Sequence, residues 1–196
     1  MAISTKSKRY TLADLERVAQ PWDDTRYEII DGELHVSSQP SNEHQYSCNR
    51  TAVSLTNWND QRGLGIVLPA PGLIFAEDDN SAPDVIWVSK ARYRSVLGKE
   101  NKLHGPPELV VEVLSPGDEN ERRDREHKLR LYSRRGVDEY WILDGPARSV
   151  EVYRRLSGAE EALRLAAVLG EDETLTSPLL PGFSVHVGEL FFLEEG

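Results

Sequence analysis

The sequence is poor in the features that mark secreted and membrane-spanning proteins. It contains one cysteine, Cys48, so no disulfide can form within the chain. No apolar run approaches the ~20 residues that a membrane-spanning helix needs. The polar start "MAISTKSKRY" also lacks the apolar segment of a signal peptide. We therefore expect a cytoplasmic protein that has no membrane partner.

Basic residues are also scarce relative to acidic ones. The chain has 23 Lys and Arg against 33 Asp and Glu, a formal net charge of −10. Such a balance argues against a surface coated for general nucleic-acid binding. Local basic patches remain at residues 122–135 and 90–102, although charge alone favours an ordinary solvated face for both. The remaining composition, 39% hydrophobic over 196 residues, predicts a single domain over residues 1–196.

The N-terminal quarter predicts a short helix, a hairpin and a longer helix. "TLADLERVA" starts with Thr11 as N-cap and Asp14 three residues later, which resembles a capping box. "YEIIDGELHV" predicts a hairpin that turns at residues 31–32 and sets Glu28 opposite His35. The helix that follows is expected to begin at the N-cap residue 41 and to end at residue 63.

The rest of the chain alternates between strands and one helix. "GIVLPAPGLIFA" predicts one or two strands, and "PDVIWVS", "ELVVEVLS", "EYWILD" and "SVEVYRR" predict four more. "GDENERRDREHKLRLYSRRG" predicts a helix between the second and third of these. Short strands and a small terminal element are expected from "RLAAVL", "SVHV" and "ELFFL". A strand, helix, strand succession needs a crossover, so we predict an α/β (α+β) sandwich with a central mixed sheet flanked by helices.

An acidic residue stands in the middle of the most apolar strand. In "ELVVEVLS", Glu112 is surrounded by Val and Leu, where an unpaired carboxylate would cost several kcal/mol. The alternation of a strand puts Glu108 on the same face, which we expect about 7 Å along, and Asp84 on the matching face of "PDVIWVS". Asp84 and Glu112 should therefore lie close together if the two strands are neighbours.

Two kinds of partner could neutralise this acidic pair. Mg²⁺ is commonly held by one or two carboxylates. A lysine is the alternative, and Asp124, Lys128 and Tyr132 form a single stripe on the following helix. Glu112 and Lys128 could thus be a buried ion pair without catalysis.

Together these segments resemble the Uma-two family of restriction-endonuclease-like proteins, in the PD-(D/E)XK nuclease superfamily. The resemblance is carried by Pro83-Asp84, "ELVVEVLSP", the stripe on the helix and "GVDEYWILD". It extends from "TLADLERV" through "YEIIDGEL" and His44 to "LPGFSVHVGELF". The resemblance implies a restriction-endonuclease-like sandwich, a Mg²⁺ cofactor that Mn²⁺ can replace, and hydrolysis of DNA phosphodiester bonds.

The resemblance also assigns roles to individual residues. Asp84 and Glu112 match the metal-binding acids, and the carbonyl of Val113 is a further candidate ligand. The superfamily's lysine, normally two residues after the glutamate, is displaced into the helix as Lys128, where it would stabilise charge on the phosphate. Candidate accessory residues are Glu28, His44, Glu108, Asp124 and Tyr132.

Several alternatives stay open from the sequence. Glu28 is better explained as the cross-strand partner of His35 than as a ligand. The whole chain could be a catalytically inactive nucleic-acid-binding or regulatory protein on the same fold, or an oligomeric interaction protein with an inert acidic pocket. If DNA is the partner, we expect phosphate contacts from Arg122, Arg123, Arg125 and Arg130. Analogy with nucleases that cut two strands adds a homodimer as a candidate assembly.

Overall fold

The strands form two larger sheets and one short pair. The structure, a computed structural model, describes residues 8–18, 25–156 and 162–191. The strands in these ranges are β1 Arg26–Ile30, β2 Glu33–Ser37, β3 Gly65–Pro69, β4 Leu73–Ala76, β5 Asp79–Ser81, β6 Val85–Ser89, β7 Leu109–Val113, β8 Glu139–Asp144, β9 Ser149–Arg155, β10 Leu163–Gly170, β11 Thr174–Thr176 and β12 Ser184–His186.

The central sheet has six strands in the order β10-β9-β8-β7-β6-β3. All neighbours run antiparallel except β7 and β8, which are parallel. The chain connects these two through helix α4 Asp118–Arg122, a π-helical turn Arg123–Lys128 and helix α5 Leu129–Arg135. We call these three pieces the segmented helix. The predicted crossover and the mixed sheet are confirmed.

The predicted hairpin belongs to a second sheet of four strands, in the order β2-β1-β5-β4. Its register pairs Glu28 with His35 and Ile29 with Leu34, as expected. Asp31 and Gly32 form the turn with φ angles of 55° and 77°, a left-handed conformation that favours glycine. Strand β5 was not anticipated, because three polar residues give no strand pattern.

The helices cover both faces of the central sheet. Besides the segmented helix, they are α1 Leu12–Val18, α2 Asn42–Arg62, α3 Lys90–Val96 and a 3₁₀ turn Val187–Leu190. One buried cluster joins α2 to sheet residues such as Trp87 and Val111. The other joins the segmented helix and the four-stranded sheet to Ile86 and Val110. Alternate residues of each strand therefore face opposite layers, which confirms the sandwich of a mixed sheet flanked by helices.

The helix ends follow the predicted chemistry. Asp14 Oδ2 accepts the Thr11 backbone N–H at 3.0 Å, and Ser41 Oγ accepts the His44 N–H at 3.2 Å. Gly63 ends α2 in the left-handed conformation. Residue 19 of the predicted first helix and residues 192–193 of "ELFFL" lie outside the described ranges. Helix α3 was missed, because its sequence was interpreted only as a basic run. Among the described helices, none combines the length and apolarity that a bilayer crossing requires.

Candidate active site

Asp84 lies immediately before strand β6, where this strand meets β7. The antiparallel register pairs Val85 with Val111, so the next position places Asp84 beside Glu112. The Val113 backbone N–H donates a 2.8 Å hydrogen bond to Asp84 Oδ2. The sheet itself thus fixes this carboxylate next to Glu112.

Asp84 is buried and has two further partners. Arg26 Nη1, from strand β1, lies 2.9 Å from Oδ1, and His44 Nε2, from helix α2, lies 3.2 Å from Oδ2. Burial alone would raise the pKa of Asp84. The hydrogen bond and electrostatic interaction with His44, together with the charges of Arg26 and Lys128, instead hold that pKa well below its ordinary value. Asp84 is therefore an anion over the physiological range.

Glu112 is held by the stripe of residues on the segmented helix. Lys128 Nζ lies 3.0 Å from Glu112 Oε1, and the Tyr132 hydroxyl donates to the same oxygen at 2.7 Å. Ser81 Oγ, on β5, lies 3.1 Å from the Tyr132 hydroxyl oxygen. Glu112 is thus compensated by a cation and a hydroxyl, which explains how a carboxylate is tolerated inside β7.

Lys128 joins three carboxylates in the interior. Besides Glu112, its ammonium lies 3.2 Å from Glu28 Oε1 and 3.4 Å from Asp124 Oδ1. Its side chain is only 1% exposed. Burial would lower the pKa of Lys128, but Glu112, Glu28 and Asp124 raise it above the ordinary value, so the ammonium stays charged. Asp124 and Lys128 lie in the π-helical turn, a conformation frequent at functional sites.

The cluster carries more negative than positive charge. Its acids are Glu28, Asp84, Glu112 and Asp124, and its cations are Arg26, Arg123 and Lys128. Burial, followed by the charges of Asp84, Asp124 and Glu28, raises the pKa of Glu112 to about 8 against the opposing effect of Lys128. The surplus negative charge therefore acts on Glu112, where it favours the protonated form.

A cavity of about 230 Å³ opens onto this cluster. Its wall combines acidic, basic and small polar side chains from the hairpin, α2, β7 and the segmented helix, namely Arg26, Ser37, Ser38, Pro40, His44, Gln45, Asp84, Glu112, Val113, Ser115, Arg123, Asp124 and Lys128. Asp84 and Glu112 thus face one space.

The residues of this cavity fit a hard divalent cation. Carboxylate oxygens from two adjacent strands face one space, and oxygen ligands are those that Mg²⁺ prefers. After burial, the charges of Asp84, Asp124 and Glu28 contribute to the raised pKa of Glu112, and a cation in the cavity would offset these charges. His44, Cys48 and Asp84 also offer ligand atoms within 4.8 Å of one another. Burial, and then Asp84, raises the pKa of the Cys48 thiol above its ordinary value, so Cys48 stays a neutral thiol and a poor ligand.

The structure does not bring Glu108 to this cluster. Its Oε2 accepts the Ser89 N–H at 2.9 Å, and Arg92 Nε lies 3.2 Å from its Oε1. Our expected spacing of about 7 Å to Glu112 was wrong, because four residues of a strand span about 13 Å. Glu108 instead ties β7 to the start of helix α3.

Glu28 is placed next to His35 by the strand register, but its carboxylate binds elsewhere. Glu28 Oε1 accepts the Ala82 N–H at 2.9 Å and lies 3.2 Å from Lys128 Nζ. The register of the predicted cross-strand pair is therefore right, whereas the carboxylate belongs to the lysine cluster.

The four arginines predicted to contact DNA have different environments. Arg125 binds the carboxylates of Glu121, Asp144 and Glu151. Arg123 is half-buried and donates to Ser37 Oγ at 2.7 Å, beside the cavity. Arg122 and Arg130 are exposed. The structure thus favours this exposed pair as a surface for phosphate and argues against Arg125.

Arg26 is a site residue that sequence reasoning missed. The signal was present, because Arg26 and Glu28 are two residues apart in a strand and share a face. Once Glu28 was a candidate, Arg26 should have been one as well. Both side chains lie on the face of the hairpin that contacts the cluster.

Comparison with known proteins agrees with this fold. The family model of Uma2, described as "Putative restriction endonuclease", matches residues 12–188, and the chain belongs to this family. A crystal structure from Anabaena variabilis, described as a putative nuclease belonging to DUF820, has a TM-score of 0.72 at 16% identity. The match covers 92% of this chain and 97% of that chain. No functionally curated protein matches the sequence.

Proposed function

We propose that this protein is a metal-dependent endonuclease that hydrolyses DNA phosphodiester bonds. The observation that carries the proposal is the meeting of Asp84 and Glu112 in one cavity, with the charged Lys128 in contact with Glu112. Membership of a family described as restriction endonucleases supports the reaction class.

Asp84 and Glu112 would hold the metal, and Val113, which lines the same cavity, could add its carbonyl. When bound, Mg²⁺ or Mn²⁺ would polarise a phosphoryl oxygen and make water more acidic. The hydrogen bonds from the Val113 N–H and His44 keep the Asp84 carboxylate oriented towards the cavity. Tyr132 does the same for Glu112.

In this proposal Lys128 holds together the carboxylates of Glu28, Glu112 and Asp124. Its ammonium already lies within 3.4 Å of three carboxylates. Arg26 and Arg123 also line the cavity, and their side chains are 31% and 11% exposed, against 1% for Lys128. We infer that these arginines, rather than Lys128 alone, stabilise the charge that develops on the phosphate.

One observation favours a second candidate, an inactive DNA-binding protein. Asp84 and Glu112 each have a cationic partner, Arg26 and Lys128, without any metal. A cluster whose acids already have cationic partners could serve only as structure. The two candidates differ in turnover and in metal binding.

The test is nicking of supercoiled plasmid by purified protein with Mg²⁺ or Mn²⁺, and with EDTA. We expect nicking only with metal, and loss of nicking in Asp84→Asn purified identically. Asp60→Asn is the matched control, because Asp60 is an exposed acid elsewhere on helix α2. Calorimetry should show about one Mn²⁺ bound per wild-type chain and much weaker binding to Asp84→Asn. Equal metal affinity in Asp84→Asn, or DNA binding without nicking by wild type, would overturn the proposal and support the second candidate.

A further inference from the structure

A second cluster of metal-ligating side chains lies outside the cavity of Asp84 and Glu112. Glu33 and His35, on strand β2, and His127, in the π-helical turn, offer ligand atoms within 4.8 Å of one another. The two imidazole rings meet edge to face, with centroids 5.6 Å apart. Two imidazoles and a carboxylate form a donor set typical of transition metals rather than of Mg²⁺.

We propose that Glu33, His35 and His127 form a binding site for a Zn²⁺-class transition-metal ion that clasps the β1–β2 hairpin to the segmented helix. This zinc clasp is independent of the proposed nuclease reaction. Its ligands come from two elements far apart in sequence, so a bound ion would join them directly.

The surrounding contacts hold the two elements in place for such a site. On one side, Arg123 donates to Ser37 Oγ at 2.7 Å. On the other, Lys128 lies 3.2 Å from Glu28, the residue paired with His35 across the hairpin. These contacts lie close to both histidines and hold the two rings together before any ion binds. The entropy cost of ordering the ligands on metal binding is therefore lower.

The histidines themselves are suited to bind a metal. His35 Nε2 is buried and, among the described residues, has no hydrogen-bond partner. A buried nitrogen without a hydrogen-bond partner destabilises the fold unless a ligand binds it.

An entry path for the ion is also present. A cavity of about 210 Å³ beside the cluster is lined by Asp31, Glu33, His127, Arg122 and Arg130, together with Ile30. Glu33 is exposed, so the outer side of the site can admit water or another ligand as the fourth donor. The carboxylates of Asp31 and Glu33 in this lining offset the charges of the two arginines.

The test is titration of the tag-free, chelator-treated protein with Zn²⁺ by calorimetry, in saturating Mg²⁺. Co²⁺ titration followed by its visible absorption provides a spectroscopic check. Because His44, Cys48 and Asp84 form another cluster of metal-ligating atoms, all variants are made in a Cys48→Ser background. We expect about one Zn²⁺ per chain in that background and a rise in the thermal unfolding temperature.

His127→Ala should weaken Zn²⁺ binding at least tenfold and abolish the thermal shift. Glu33→Gln should also weaken binding, and its exposed position leaves folding intact if His127→Ala does not fold. His104→Ala is the matched control, because His104 is exposed and pairs with Glu100. Absence of Zn²⁺ binding in the Cys48→Ser background, or wild-type affinity in both Glu33→Gln and His127→Ala, would overturn the zinc clasp.

Discussion

Replacing Glu112 by Gln tests the electrostatics of the acidic cluster. Glu112 pairs with Lys128 and also lines the cavity of Asp84, so an ion pair with Lys128 does not exclude the proposed metal site. Removing one partner of a buried ion pair normally costs about 3–5 kcal/mol, because the other charge is left alone. Here Lys128 keeps two carboxylates, those of Glu28 and Asp124, so this penalty should not arise.

Instead we expect Glu112→Gln to stabilise the metal-free protein. The pKa of Glu112 is about 8 in the folded protein and near 4.5 when unfolded. A raised folded pKa contributes stability below pH 4.5, and this contribution is lost as the pH rises to 8. At about 1.4 kcal/mol per pH unit, this interval corresponds to a loss of several kcal/mol. The Glu112→Gln variant should not show this loss of stability, because a glutamine side chain does not ionise.

The assay is urea unfolding of wild type and Glu112→Gln in EDTA, from pH 5 to pH 9. The advantage of the variant should grow between pH 5 and 8 and then level off. Asp60→Asn is the matched control, because it removes an exposed carboxylate and should show no such growth. Excess Mg²⁺ should stabilise wild type but not Glu112→Gln, because a ligand stabilises only the state that binds it. A Glu112→Gln protein that is less stable than wild type by about 3 kcal/mol at pH 8 would refute this reasoning. That loss is the cost of leaving the buried Lys128 without a compensating charge.

Three further changes probe the partners of the two acids. Lys128→Met should destabilise the protein by about 3–5 kcal/mol in urea melts, because three buried carboxylates lose their shared cation; a loss below about 1 kcal/mol would contradict this. Arg26→Gln should strengthen Mn²⁺ binding in calorimetry, because Arg26 and the metal compete for Asp84; unchanged affinity would mean that they do not. Arg122→Ala with Arg130→Ala should reduce the salt slope of DNA binding, measured by fluorescence anisotropy, by about 2. An unchanged slope would place the DNA elsewhere, for example on residues 90–102.

The strongest local patterns predicted their elements well. The Asp31-Gly32 turn fixed the hairpin register, because only a few turns accept positive φ at both positions. The apolar runs of β7 and β8 and the helix between them required a parallel pair, which the structure contains. These features are encoded within short segments, so they can be deduced from the sequence.

The pairing of the hairpin with β5 could not be predicted from the sequence. Strand β5 has only the residues Asp79, Asn80 and Ser81, and its partner β1 lies about 50 residues earlier. Buried Asp79 is held there by Arg134 and Arg135 from helix α5. These are long-range ion pairs, which no local pattern reveals. The four-stranded sheet that carries Arg26 and Glu28 into the site therefore appeared only in the structure.

The exposure of the two cationic partners determines how the cluster can accept a metal. Lys128 is 1% exposed and contacts three acids. The Arg26 side chain is 31% exposed and, among the described residues, forms an ion pair only with Asp84, at 2.9 Å. Moving Lys128 would leave three buried carboxylates without a cation, but moving Arg26 leaves Asp84 to the incoming ion. We therefore expect that a divalent cation held by Asp84 would compete with Arg26 for this carboxylate. Arg26 would remain in the wall of the cavity, where its guanidinium group could pair with a substrate phosphate. Exchange of partners at Asp84 would in this way couple metal binding to substrate binding.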